Sequence, residues 1–153
     1  MSALIKTLAA TFVINLLFFS SPADACKLGA AAYDLEEYLN ENKPNQVVFV
    51  GKVVSVEVVK PSPRLLLDQK IEFEVDRWWR GAGQKSVSVR GMVEKPTGTS
   101  CDGQFDFSVK SGEEWLIVGY IHDGVVDPMT LLSLRIKAEA IPEDTLKILN
   151  GKH

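Results

Sequence analysis

The sequence predicts a mainly β domain: a small closed or partly open barrel of five strands, with a short helix at each end. Three observations predict it. Apolar residues recur with a period of two, or run on with β-branched side chains, in five separate stretches. Helical spacing is confined to one stretch before them and one after. Helices do not alternate with strands, as a parallel α/β sheet requires, and a sandwich would need more strands with regular turn signals. Five strands with terminal helices within residues 26–153 fit a barrel.

The elements follow in chain order. Leu28, Ala32, Leu35 and Leu39 recur at helical spacing, with Glu36, Glu37 and Asn40 between them, and Pro44 stops that helix. From Gln46 to Lys60 the residues are mostly β-branched, from Val47 and Val48 to Val58 and Val59. A run that long is a strand buried on much of both faces, or one that bends. Gly51 in its middle marks a bulge or a barrel corner, and Pro61-Ser62-Pro63 ends the run. Ile71, Phe73 and Val75 alternate with Glu72, Glu74 and Asp76, a half-buried strand that runs into Trp78-Trp79-Arg80-Gly81. Val87 and Val89 alternate with Ser86, Ser88 and Arg90 in a third, short strand. Glu94 to Gly103, with Pro96 and Gly98, reads as a loop. Trp115 to Ile121 is an apolar fourth strand, and Thr130 to Ile136 is the expected fifth. Glu143 to Leu149, with Leu146 and Leu149 on one face, is the terminal helix. Phe49, Val53, Phe73, Val75 and Leu116 are the expected barrel core.

Residues 1–25 lie outside that fold. Lys6 is the only charge before Asp24, Leu8 to Phe19 is almost wholly apolar, and Ser20-Ser21-Pro22 leads to the small-residue triplet Ala23-Asp24-Ala25. This is the order of a secretory signal, with an apolar core too short to serve comfortably as a permanent anchor. The expected arrangement is a signal peptide over 1–25 and one domain over 26–153. The product is exported to the periplasm or the extracellular space and free of the membrane after cleavage. A cut after Ala25 makes Cys26 the first residue; a cut after Ala23 leaves Asp24-Ala25 in front of it.

Export places the two cysteines, Cys26 and Cys101, in an oxidising compartment, where they allow one intramolecular bridge. Two free thiols, or Cys26 as a lipidated amino terminus, are the alternatives. Ala23 and Asp24 fit a lipoprotein signal poorly. Closing a loop of this size stabilises by about 4 kcal/mol in the chain-entropy model.

Composition and motifs exclude most chemistry. A net charge of −3 with 24% charged residues gives no basic field for nucleic acid. Two His and two Cys are too few for a Cys/His-rich zinc site. Gly81-Ala82-Gly83 precedes a strand rather than a helix, so it is no phosphate loop. Asp102 and Asp106 lack calcium-loop spacing. A Cys101–His122 nucleophile pair loses to the bridge, because an exported thiol with a partner oxidises. The Glu72/Glu74/Asp76 row reads as a solvated strand face, and of Trp78 and Trp79 one is expected in the core and the other at the rim. The expectation is a monomeric non-enzyme with no cofactor and no metal of its own.

An ordered set of short motifs remains. Cys26 follows the cleavage signal directly. A helix comes next, then Val48-Phe49-Val50-Gly51-Lys52-Val53, Phe73-Glu74-Val75 and Trp79-Arg80-Gly81. Ser100-Cys101-Asp102-Gly103, Phe105 and Gly112-Glu113-Glu114-Trp115-Leu116-Ile117-Val118 complete it. This order resembles the tissue inhibitors of metalloproteinases, through the netrin-like domain of their N-terminal half, and in particular the small exported bacterial members of that superfamily. The resemblance covers nearly all of residues 26–150. It implies a five-stranded Greek-key barrel of the oligonucleotide/oligosaccharide-binding (OB-fold) type, with a short N-terminal helix and a C-terminal helix. It also implies that Cys26 is bridged to Cys101; the positions of the family's second bridge hold Leu28 and Leu132 here.

The resemblance further implies a mechanism. The free α-amine and the carbonyl of Cys26 would chelate the catalytic zinc of a metalloprotease, and the side chain of Lys27 would enter the specificity pocket. An α-amine titrates near pH 7.7–8, so its neutral, ligating form is accessible, and a bridge on the same residue would hold the chelating atoms in place. Lys27 departs from the small hydroxyl residue of the animal inhibitors and brings an ammonium to a mostly apolar pocket, a costly desolvation unless an acid waits there. The expected function is a secreted metalloendopeptidase inhibitor. The alternative is a non-catalytic exported binding module that uses barrel loops or a strand face, with Cys26 purely structural.

Overall fold

The valine-rich run forms β1 (Gln46–Val59), and it is long enough to serve two neighbours. From Gln46 to Lys52 it pairs antiparallel with β4 (Glu114–His122), and from Val48 to Val59 with β2 (Leu65–Arg80). A strand shared this way must bend, and the register against β2 shifts at Val48/Phe49, Val50/Gly51 and Val53/Ser55. Gly51 stands at the second shift, where a Cβ would lie 2.5 Å from the Glu74 carbonyl oxygen. In this computed structural model, which describes residues 34–60, 62–98, 103, 105–136 and 140–151, β2 pairs onward with β3 (Ser86–Glu94). β3 meets β5 (Val125–Pro128) in parallel, and β5 returns antiparallel to β4. The ring therefore closes as β1-β2-β3-β5-β4-β1, a five-stranded barrel of the OB-fold type.

The fifth strand is not the expected one. Thr130 to Ile136 supplies only β6 (Leu134–Arg135), a two-residue extension on the edge of β4. The barrel is closed by β5, which leaves β4 through Asp123-Gly124 with both residues at positive φ (50° and 83°). That is the signature of a two-residue hairpin turn whose twist matches the flanking strands.

Two apolar clusters hold the fold. The barrel interior holds Phe49, Val53, Ile71, Phe73, Ile117 and Val126 among others, and Phe107 and Val109 join them from the segment leading into β4. Phe49 packs edge-on against Phe73 with centroids 5.7 Å apart, and its other neighbour is the Trp78 ring at 4.9 Å. The second cluster lies outside the barrel wall. Val48, Leu116 and Val118 alternate with the inward residues of β1 and β4. They are covered by Tyr38 and Leu39 of α1 (Leu35–Asn40) and Leu149 of α2 (Glu143–Asn150). Leu116 is thus buried but is not barrel core, and Val75 is half-buried at its margin, packed against the interior cluster. Trp78 serves the inner cluster and Trp79 the outer one, each half-buried, with indole N–H groups satisfied by the Gln84 carbonyl (2.8 Å) and Asn150 Oδ1 (3.1 Å). Neither is a free platform.

Local chemistry fixes both helices. Asp34 caps α1 by accepting the Glu36 amide at 2.8 Å, and Glu36 and Glu37 complement the positive end of its dipole. α2 begins after Pro142 with Glu143 and Asp144 in its first turn, and Lys147 stands in its last.

Tyr38 fastens α1 to the barrel. Its hydroxyl donates to the Gly119 carbonyl of β4 and accepts the Val47 amide of β1 at 3.2 Å. Burial pushes the phenol well above the ordinary tyrosine range. A folded-state value above the unfolded one favours folding below about pH 10 and withdraws that support as pH rises further. Urea midpoints of the wild type should therefore fall more steeply between about pH 9.5 and 11 than those of Tyr38→Phe. At neutral pH the variant should be weaker by about 1–3 kcal/mol. Equal alkaline slopes would mean that the phenol is not enclosed.

Candidate functional site

Cys26, Lys27 and Cys101, the residues singled out by the sequence, lie outside the described residues, as does the segment 1–25. The described residues offer a different concave feature. A cleft of about 570 Å³ opens where the α1–β1 connection faces the meeting point of β3 and β5. The connection contributes Glu41 and Lys43, the end of β3 contributes Met92 and Glu94, and β4 contributes Tyr120. Phe105 comes from the segment between β3 and β4, Pro128 ends β5, and Met129 and Leu131 follow it. A recess of about 260 Å³ shares Met92, Phe105 and Pro128 with it and reaches Arg90, Phe107 and Asp127.

One wall is polar. Glu41 Oε2 accepts the Tyr120 hydroxyl at 2.8 Å and the Lys43 ammonium at 2.9 Å, while that ammonium sits 5.4 Å from the centre of the Tyr120 ring. Hydrogen bonds from Lys43 and then Tyr120 hold the Glu41 carboxyl below the usual carboxylate range. Glu41 in turn raises Lys43, and partial burial followed by Glu41 raises Tyr120. At pH 7 this wall carries one negative charge, one positive charge and a neutral phenol. Glu94, exposed across the cleft, adds a carboxylate with no ion pair among the described residues.

The floor is apolar. Phe105 is 53% exposed and Leu131 39%, and Met92 and Met129 lie beside them. A concave apolar surface with a few fixed polar groups on one side is what a binding site needs. His122 lies elsewhere, exposed at the end of β4 with its ring nitrogen 3.4 Å from the Asn45 amide. Among the described residues no three His, Cys, Asp or Glu side chains are gathered to hold a metal ion. In the acidic row on β2, Glu74 and Asp76 are exposed, whereas Glu72 is half-buried and accepts the Ser88 hydroxyl.

Sequence reasoning missed the cleft. Glu41 and Tyr120 are 79 positions apart, so no local spacing joins them. The available signal was Phe105, a large apolar residue in a loop otherwise rich in Gly, Ser, Thr and Asp. No protein-family model and no curated protein sequence matches the chain.

Proposed function

We propose that the protein is an exported, non-catalytic inhibitor of zinc metalloproteases that acts through the amino terminus of mature Cys26. The observation that carries the reading is the closed five-stranded barrel, the fold that the resemblance of the motif series implies. α1 docks on β1 and β4, and Cys26 stands eight positions before its cap, Asp34, in the sequence. On this reading the neutral α-amine and the carbonyl of Cys26 take two positions on the protease zinc and displace its water, and Lys27 occupies the adjoining pocket. The bridge to Cys101 lowers the ordering cost of presenting those atoms.

The test is an extra Ala placed before Cys26, which turns the amine into an amide and removes its lone pair from metal binding. Inhibition, measured at one-to-one stoichiometry against a panel of zinc proteases, should be abolished while the far-ultraviolet spectrum and melting temperature stay unchanged. Lys27→Thr should strengthen or broaden inhibition, because it removes a charge that must be desolvated. Equal inhibition by the Ala-extended form, or no response from any zinc protease, would overturn the mechanism.

A second reading is favoured by the cleft, with Phe105 and Leu131 exposed on its floor. On that reading the barrel is a binding module whose ligand sits against those side chains and Cys26 is structural. The Ala extension separates the two, since it leaves cleft binding untouched.

A further inference from the structure

β1 outlasts the barrel. β4 occupies its outer edge only as far as Lys52. Val53 is then tied to the turn that leads into β4, its amide to the Glu113 carbonyl and its carbonyl to the Gly112 amide, both at 2.8 Å, and the Val54 carbonyl accepts Ser111 Oγ at 3.4 Å. From Ser55 to Val59 the strand pairs with β2 on one side, and among the described residues no strand pairs with the other. The β1–β2 arm also carries four exposed large apolar side chains: Val54 (48%), Val58 (63%), Val59 (42%) and Leu66 (55%). An unpaired edge of β-branched residues is a template for another strand, and the usual protections are thin here. No proline stands between Val54 and Val59, and Glu57 is the only charge in that run.

We propose that this edge pairs with the same edge of a second copy, antiparallel about a two-fold axis at Val56, so that β2-β1 continues into the partner's β1-β2. The argument is one of register. In antiparallel pairing hydrogen-bonded and non-hydrogen-bonded pairs alternate, so a two-fold axis perpendicular to the sheet must pass through a residue facing its own copy. With Glu57 on the axis, two carboxylates oppose each other directly. With Ser55 there, the partner's Val58 and the partner's Val59 fall opposite Lys52 and Gly51, whose edge β4 already occupies. With Val58 there, β1 overlaps its copy over Glu57 to Val59 only. With Val56 on the axis, Val54 meets the partner's Val58 and Ser55 meets the partner's Glu57. The chain already uses that last pairing within itself: Glu72 and Ser88 face each other across β2 and β3, and Ser88 Oγ donates to Glu72. The edge is therefore self-complementary in one register, with the two most exposed β1 valines covering each other.

A ladder this short buries less than the roughly 1,200–2,000 Å² of a standard stable interface, so the dimer is expected to be weak, with a dissociation constant on the order of 10–100 μM. This replaces the expected monomer. It rests on the β1 edge and not on Cys26, and it stands whether or not the protein inhibits a protease.

Sedimentation velocity of the exported protein from about 5 to 500 μM should show the weight-average coefficient rising towards that of a dimer. Val58→Lys alters an exposed position and leaves the barrel interior intact, so its circular dichroism and melting should match the wild type while it sediments as a monomer throughout. Register is read by mild oxidation and peptide mapping. Val56→Cys should cross-link to itself, whereas Val58→Cys should cross-link only when mixed with Val54→Cys. A wild type that stays monomeric over that range overturns the proposal, even if it captures a foreign extended peptide along β1. So does dimerisation of folded Val58→Lys at wild-type strength, or self-cross-linking of Val58→Cys as fast as that of Val56→Cys.

Discussion

Phe73→Ala should weaken the folded state by about 3–5 kcal/mol, lowering the melting temperature by roughly 10 °C. Phe73 is fully buried at the centre of β2, opposite Val53 of β1 and Val87 of β3, and its ring meets Phe49 edge-on. Truncation removes the transfer free energy of a phenyl ring and leaves a space that its neighbours cannot close. Those neighbours sit on strands pinned on both edges by ladder bonds, so the walls do not collapse inwards. Phe49 would also lose its aromatic partner on that side, while Trp78 holds it on the other. Urea denaturation measures the effect directly, with a shifted midpoint and an unchanged slope expected. A loss under about 1 kcal/mol would place Phe73 on the wet face and shift the β2 register by one residue.

The alternation of Ile71, Phe73 and Val75 made that strand legible, because one face of it is wet and the period of two survives in the sequence. The same strand begins at Leu65, six residues before the alternation starts, and the reason is Gln69. It stands at an inward position and is buried there, with its carboxamide oxygen accepting the Val109 amide at 3.3 Å. A satisfied polar residue at a core position breaks the apolar pattern without breaking the strand. β4 failed in the opposite way. Leu116, Ile117 and Val118 are all fully buried, the middle one inside the barrel and its neighbours under the helices. A strand covered on both faces has no parity to read, so the sequence pattern does not tell that Leu116 faces the helices rather than the barrel interior. β5 carries a signal in Asp123-Gly124, a hairpin dipeptide that follows the apolar run of β4 and His122, but the four-residue strand after it is shorter than the windows in which alternation shows. The cleft was the least legible feature, because it joins side chains from the α1–β1 connection, β3, β4 and the segment after β5, and only closure of the barrel brings them together.

Gly119→Ala should cost about 3 kcal/mol or more, an effect far larger than one methyl group suggests. In an ordinary strand the change would help, since glycine gives up more conformational freedom on folding than alanine by about 0.5–1 kcal/mol. Gly119 is not in an ordinary place. A Cβ there would stand 2.4 Å from the Asp127 carbonyl oxygen and 3.1 Å from Pro128 Cα, and both are backbone atoms that no side-chain rotation can move. Relief requires β5 to leave β4. β5 is held by four register positions on β4, from Gly119↔Pro128 to His122↔Val125, and by two on β3, so it is the weakest stave of the ring. Its departure would carry the fully buried Val126 out of the core and move Pro128, a wall of the cleft, away from Tyr120. The clash therefore outweighs the entropy gain and acts on closure and cleft together. Hydrogen exchange should show the amides of Val125, Val126 and Asp127 losing protection before those of β1 and β2. If Gly119→Ala melted within about 2 °C of the wild type, β5 would be yielding at little cost. Closure of the barrel, and the cleft built on it, would then owe less to the β4–β5 pairing than the geometry requires.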